Sequence, residues 1–360
     1  GVNYRLGALG FLNLSGVSEG NLGVHDQVMS LRWVQENIAQ FGGDPSNVSV
    51  VGQSAGAIST LAILAMNDTH DLFQRAIMQS GRLATLATEE ASVKAGEQML
   101  AVTDVSPSSL STMPVEKLLE LQTRFIRSGA QLGSTATPFR PFAGGDFIPD
   151  NTVQAAARGS QGKSILMGWT RDEMAAFFSG SSDVLNASND AIDDVFRLYW
   201  GSNWEAGLAF TRARLPGAAI DDIFGHGLNE CMFAGSTVAF AESLADVNPA
   251  WLYRFDWAPS ASPFGACHCI DLPFMFGNTD SWEAPMLKGG GSVEMADLAN
   301  RVQTTWATFM RSGDPNHEAL PIWPRYQLDK RWTLRLDDIL ETVSDLSGAT
   351  LPGRPRPKRL

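Results

Sequence analysis

The sequence holds three cysteines, Cys231, Cys267 and Cys269, among 360 residues. An odd, sparse set cannot supply a disulfide framework, and Cys267 and Cys269 stand too close together for easy bridging. Basic residues are also short: 27 Lys plus Arg face 39 Asp plus Glu, a formal charge of −12. Phosphate backbones demand basic patches, so a nucleic-acid surface is excluded. Long apolar runs are missing as well. The richest, Ile58 to Met66, is interrupted by Ser59 and Thr60 and falls far below the roughly 20 residues of a membrane span. Low complexity, internal repeats and a charged-then-apolar leader at the start are absent too. A hydrophobic fraction of 44% nevertheless excludes disorder. The expectation is a soluble globular protein, cytoplasmic or secreted.

Elements alternate at first. Val2 to Leu6 is β-prone, and Val24, Val28, Leu31, Val34 and Ile38 keep helical spacing up to the stop at Gly42-Gly43-Asp44-Pro45. Val48 to Val51 reads as a buried strand, Ala55 to Met66 as a helix and Arg75 to Gln79 as another strand. This β-α-β-α-β order implies a parallel sheet covered by helices. Helical excursions follow at about 85–135, with Val115, Leu118 and Leu119 on one face, and at about 185–245. Strands are expected at 164–167, 251–255 and 331–336. A helix is expected over Val293 to Met310 with Met295, Leu298, Val302, Trp306 and Phe309 on one side. The segment 351–360 reads as a loose tail.

Gly52-Gln53-Ser54-Ala55-Gly56 carries the chemistry. A G-x-S-x-G between strand and helix is a nucleophile elbow, whose tight turn lifts the serine hydroxyl above the sheet. It also leaves the Ala55 N–H, at the helix N-terminus, able to meet an oxyanion. In such a fold the acid and then the histidine follow the serine along the chain, which removes His25 and His70. His226 reads as structural and His317 as a solvated turn residue. His268, in a loop after a strand, remains undecided on spacing alone. For the acid, chemistry cannot separate Asp172 from Glu173. Cys267-His268-Cys269 lacks zinc-ligand spacing and a second ligand pair, so no metal is expected and two half-buried thiols flank the histidine.

Several segments in order resemble the type B carboxylesterases, the family of bacterial para-nitrobenzyl esterases and cholinesterases. They include Asn3-Tyr4-Arg5-Leu6-Gly7, Phe41-Gly42-Gly43-Asp44-Pro45, the elbow, Met78-Gln79-Ser80-Gly81, Thr170-Arg171-Asp172-Glu173 and Leu272-Pro273-Phe274-Met275-Phe276-Gly277. The resemblance implies one α/β-hydrolase domain over 1–350, with a mostly parallel central sheet flanked by helices and no cofactor. It implies a serine esterase acting on small ester substrates, with Ser54 as nucleophile, Glu173 as acid and His268 as base. It further implies Ser80 as a serine supporting acid and base. Phe177, Phe178, Phe274 and Met275 are candidates for the substrate pocket. Gln53 stands where many members carry Glu, which points to neutral rather than cationic esters. Carbamate, amide or toxin-ester hydrolysis by the same triad is the nearer alternative. A non-catalytic adhesion domain is the more distant one, since all three triad residues are kept. The family turn is altered to Ala143-Gly144-Gly145-Asp146. Nothing upstream of Ser54 matches the family's second oxyanion loop. At about 30 residues per βα unit, the expectation is that on the order of 100 residues of N-terminal strands are missing, either absent or held in a separate chain of the same protein.

Overall fold

The computed structural model describes residues 1–346 apart from 85, 136, 146 and 246. Asp146 of the altered turn and the tail 351–360 lie outside the described residues.

The contacts group the chain into two units. The first comprises 1–46, 61–73 and 85–159. Its longest helices are Leu22–Asn37, Glu89–Thr103 and Val115–Ser128. Thr88 caps the second of these by accepting from the Ala91 N–H at 3.1 Å, which satisfies a helix-end donor. The third buries Leu118, Leu121 and Phe125, whereas Val115 and Leu119 are exposed. The apolar face thus runs i, i+3, i+7 from Leu118 rather than through the predicted pair. Val2 to Leu6 forms no strand, and a short helix Gly7–Phe11 follows. Arg5 there is held by Asp26 instead of by a sheet neighbour, its Nε donating to Oδ2 at 2.8 Å.

The second unit holds the central sheet. Its six strands, numbered in chain order, are β1 Ser49–Gln53, β2 Arg75–Gln79, β3 Ser164–Thr170, β4 Ala250–Phe255, β5 Thr333–Leu336 and β6 Glu341–Val343. They lie side by side in that order; β1 to β5 are parallel and β6 returns antiparallel along β5. No pattern in the sequence marks β6, because three residues that are half-buried or exposed carry no apolar signature. β3 is buried from Ile165 to Thr170, as expected of a strand covered on both faces. Among the described residues β1 forms one edge of the sheet, and Val51 is exposed there.

Helix Ser292–Ser312 buries Met295, Leu298, Val302, Trp306 and Phe309, the predicted face. Trp306 meets Tyr253 of β4 edge-on at 5.0 Å, and Phe309 meets Trp251 at 6.0 Å. Such tilted aromatic pairs add about 0.5–1.5 kcal/mol each beyond the area they bury. At the end of β4, Asp256 is 1% exposed and bound by Arg254 at 2.5 Å and Arg335 at 2.7 Å, so a buried charge is paired.

Candidate active site

Ser54 follows β1 directly and has φ +56°. A non-glycine residue in the left-handed region is strained, and here the turn is held from several sides. The Ser54 N–H donates to Gln79 O at 2.8 Å, and Ser54 O accepts from the N–H groups of Ala57 and Ile58. Gly52 is needed for close approach, since a Cβ on it would lie 2.2 Å from Gly56 O. Gly56 is different, because a Cβ there meets nothing within 4 Å. Helix Ala55–Ala65 begins immediately after the serine. Its first N–H groups have no intrahelical acceptor, so the Ala55 donor is open to an anion.

Glu173 and His268 are brought to this serine from the loops after β3 and β4. His268 Nε2 is 2.9 Å from Ser54 Oγ, and its Nδ1 is 2.5 Å from Glu173 Oε2. Glu173 is fully buried, and its other oxygen accepts the Thr170 N–H at 2.8 Å. A carboxylate can only accept, so Nδ1 carries the ring proton and Nε2 presents a lone pair to the serine hydroxyl. Burial pushes the His268 pKa down; the Glu173 carboxylate overrides it and holds the imidazole above its ordinary value.

Asp172, the alternative acid, faces elsewhere. It pairs with Arg171 at 2.9 Å and accepts the Ala266 N–H at 2.9 Å, while its own N–H donates to Ala266 O. It therefore ties down the loop that carries His268.

The other candidates separate by position. Gln53 Nε2 lies 3.3 Å from His268 Nε2, within reach of the same lone pair the serine uses. Ser80 is buried with φ +50° and donates its N–H to Gly168 O. Its hydroxyl is buried without a hydrogen-bond partner, so it bonds to neither Glu173 nor His268. The Phe177 ring is half exposed and 5.5 Å from the imidazole. Phe178 lines a cavity of about 300 Å³ with Arg171, Met174, Asp221 and Asn229. Phe274 is corrected to core: it is fully buried against Phe255 at 5.1 Å and Trp257 at 5.0 Å. Met275 packs, partly buried, on that same cluster.

Phe233 joins the site without any signal in the sequence. Its ring stands 5.4 Å from His268, carried by the π-helical turn Glu230–Ala234. A π-turn shifts side chains off the 3.6-residue register, so periodicity cannot place them.

Cys267 is fully buried rather than half-buried, with Sγ 3.5 Å from Met286 Sδ, and burial pushes its thiol up to about 12. Cys269 is half-buried and unbridged. Among the described residues no group of three His, Cys, Asp or Glu is arranged to hold a metal ion, and no helix is long and apolar enough to cross a membrane. His226 lies within helix Ile220–Asn229, 4.0 Å from Glu230. His317 is not solvated as expected; it is half-buried and hydrogen-bonded to Thr305 Oγ1 at 3.1 Å.

Known proteins share this arrangement. The sequence profile of the carboxylesterase family matches residues 1–346. Para-nitrobenzyl esterase of Bacillus subtilis (strain 168) is 36% identical over 351 residues, covering 96% of this chain and 70% of that protein. Phenmedipham hydrolase of Pseudarthrobacter oxydans is 31% identical, with 96% and 70% covered. Among solved structures, a thermophilic PNB esterase superposes with a TM-score of 0.85 at 35% identity, over 98% of this chain and 72% of that one. A Geobacillus stearothermophilus carboxylesterase does so with a TM-score of 0.85 at 28% identity, over 98% and 74%. The fold is that of the α/β-hydrolases, and this chain belongs to the carboxylesterase family.

Proposed function

We propose that Ser54, His268 and Glu173 carry out the hydrolysis of neutral carboxylic esters through an acyl-enzyme. The observation that carries this reading is the unbroken chain from Ser54 Oγ to His268 Nε2 at 2.9 Å and from Nδ1 to Glu173 at 2.5 Å. Ser54 Oγ attacks the ester carbonyl while its proton passes to His268 Nε2. Glu173 fixes the tautomer and supports the imidazolium without taking the proton itself. The Ala55 N–H donates to the oxyanion. Nε2–H then protonates the departing alkoxide, and a water activated by the freed lone pair releases the acid.

Preference for neutral esters follows from Gln53. An amide beside Nε2 adds no negative charge to attract a cationic alcohol group, and the Phe177 and Phe233 rings offer apolar contact. Domain organisation is read as one catalytic domain built on the six-stranded sheet. The test is p-nitrophenyl ester hydrolysis by wild type and Ser54→Ala, alongside mass-tagged fluorophosphonate labelling. Labelling at Ser54 and loss of turnover in the variant are expected; a folded wild type that resists labelling refutes the proposal. Carbamates and amides in the same substrate panel separate the alternative leaving groups.

A further inference from the structure

Close to the triad lies a second buried carboxyl that the acyl-transfer steps leave unused. Asp271 stands three residues after His268, just before the short helix Leu272–Phe276, and is 2% exposed. Its Oδ2 accepts from Gln79 Nε2 at 2.8 Å and from the Tyr253 hydroxyl at 3.3 Å, while Oδ1 has no hydrogen-bond partner. Gln79 ends β2 and its carbonyl receives the Ser54 N–H, so the residue that grips Asp271 also holds the nucleophile turn. Gln79 Oε1, Ser80 Oγ and Thr170 Oγ1, near the ends of β2 and β3, are likewise buried without partners.

Both donors that reach Asp271 are neutral. An asparagine would accept the same two hydrogen bonds at the same size, without the cost of desolvating a carboxylate. What the aspartate adds is charge. The groups whose fields reach it are Glu173 from the loop after β3, His268 from its own loop and Tyr253 from β4. Tyr253 is itself fully buried and its pKa is pushed up, so it stays a neutral donor. On the helix Ser292–Ser312 the neighbour of Tyr253 is Trp306, which brings no charge.

We infer that Asp271 is a positioning residue for the reaction: ionised, it is a second negative charge behind His268 that helps to hold the imidazolium formed when Ser54 gives up its proton. The inference rests on the esterase reading above and deepens it. Burial raises the Asp271 pKa to about 6, with Gln79 opposing and Glu173 reinforcing the shift. The carboxyl therefore carries a proton below that pH and its charge above it. Neutral His268 is the working base, so activity falls on acidification through the His268 pKa. Removing a nearby negative charge lowers that pKa, and the acid limb must move to lower pH.

The experiment is kcat and kcat/KM against pH for wild type and Asp271→Asn. The variant's acid limb is expected about one pH unit lower, with kcat at the plateau reduced about three- to tenfold and KM within about threefold. An unmoved limb overturns the inference, because asparagine preserves the packing and both hydrogen bonds. A second measurement needs no variant. In wild type the low-field Nδ1 proton resonance of His268 should show a separate inflection near pH 6 as Asp271 ionises. A single inflection overturns the inference even where the variant fails to fold. Fluorophosphonate labelling of the same preparations keeps the two readings apart. Labelled Ser54 with an unmoved limb removes the role of Asp271 alone, and unlabelled wild type removes the esterase reading.

Discussion

Replacing Glu173 by glutamine tests the electrostatic heart of the site. The carboxylate is fully buried, and one oxygen lies 2.5 Å from His268 Nδ1. With charge centres about 4 Å apart and an effective dielectric of about 20, carboxylate and imidazolium attract by about 4 kcal/mol. Each 1.36 kcal/mol is tenfold in rate, so losing that support costs about 10³-fold in kcat. An amide NH₂ turned toward Nδ1 would also force the ring proton onto Nε2, where it blocks the serine, and this takes the loss toward about 10⁴-fold. Glu173 is buried behind the imidazole rather than beside the ester, so KM should stay within about threefold. The assay is steady-state p-nitrophenyl butyrate hydrolysis, with the rate of fluorophosphonate labelling measured in parallel. Asp172→Asn is the internal control. Its side chain binds Arg171 and the Ala266 N–H, and its removal should cost less than about tenfold. A loss below tenfold for Glu173→Gln, or a larger loss for Asp172→Asn, refutes the assignment.

Three further outcomes are expected. Gln53→Glu places a carboxylate 3.3 Å from His268 Nε2, so the acid limb should move upward and choline esters should gain on matched neutral esters; no change in either ratio counts against the position. Gly52→Ala puts a Cβ 2.2 Å from Gly56 O and should abolish the elbow, whereas Gly56→Ala should leave thermal unfolding within about 1 kcal/mol of wild type; equal behaviour of the two contradicts the geometry. Asp256→Ala strands Arg254 and Arg335 and should destabilise by about 3 kcal/mol in urea unfolding, a value near zero being the refuting result.

Elements with strong local patterns are legible in the residues themselves. β2 falls on its predicted residues, and the long helix Ser292–Ser312 buries the predicted side chains. The elbow is legible too, because strand, glycine, serine and helix are consecutive and the constraint on them is local. Where the apolar signal is weak or shared, the pattern misleads. Val115 and Leu119 look as apolar as Leu121 and Phe125, yet only the latter two are buried beside Leu118. Phe274 resembles a pocket residue and is packed in the core between Phe255 and Trp257.

The nucleophile, the fold class and the order of the triad follow from short-range spacing and family likeness, so the chain alone carries them. Tertiary packing selects which neighbour of the Asp172–Glu173 pair faces the histidine, brings Gln53 to Nε2, and gathers Phe233 and Asp271 into the same site. Adjacent side chains leave the backbone in different directions, and which direction meets a partner depends on loops brought from 95 and 192 residues away. Burial and electrostatic pairing are properties of that assembled neighbourhood.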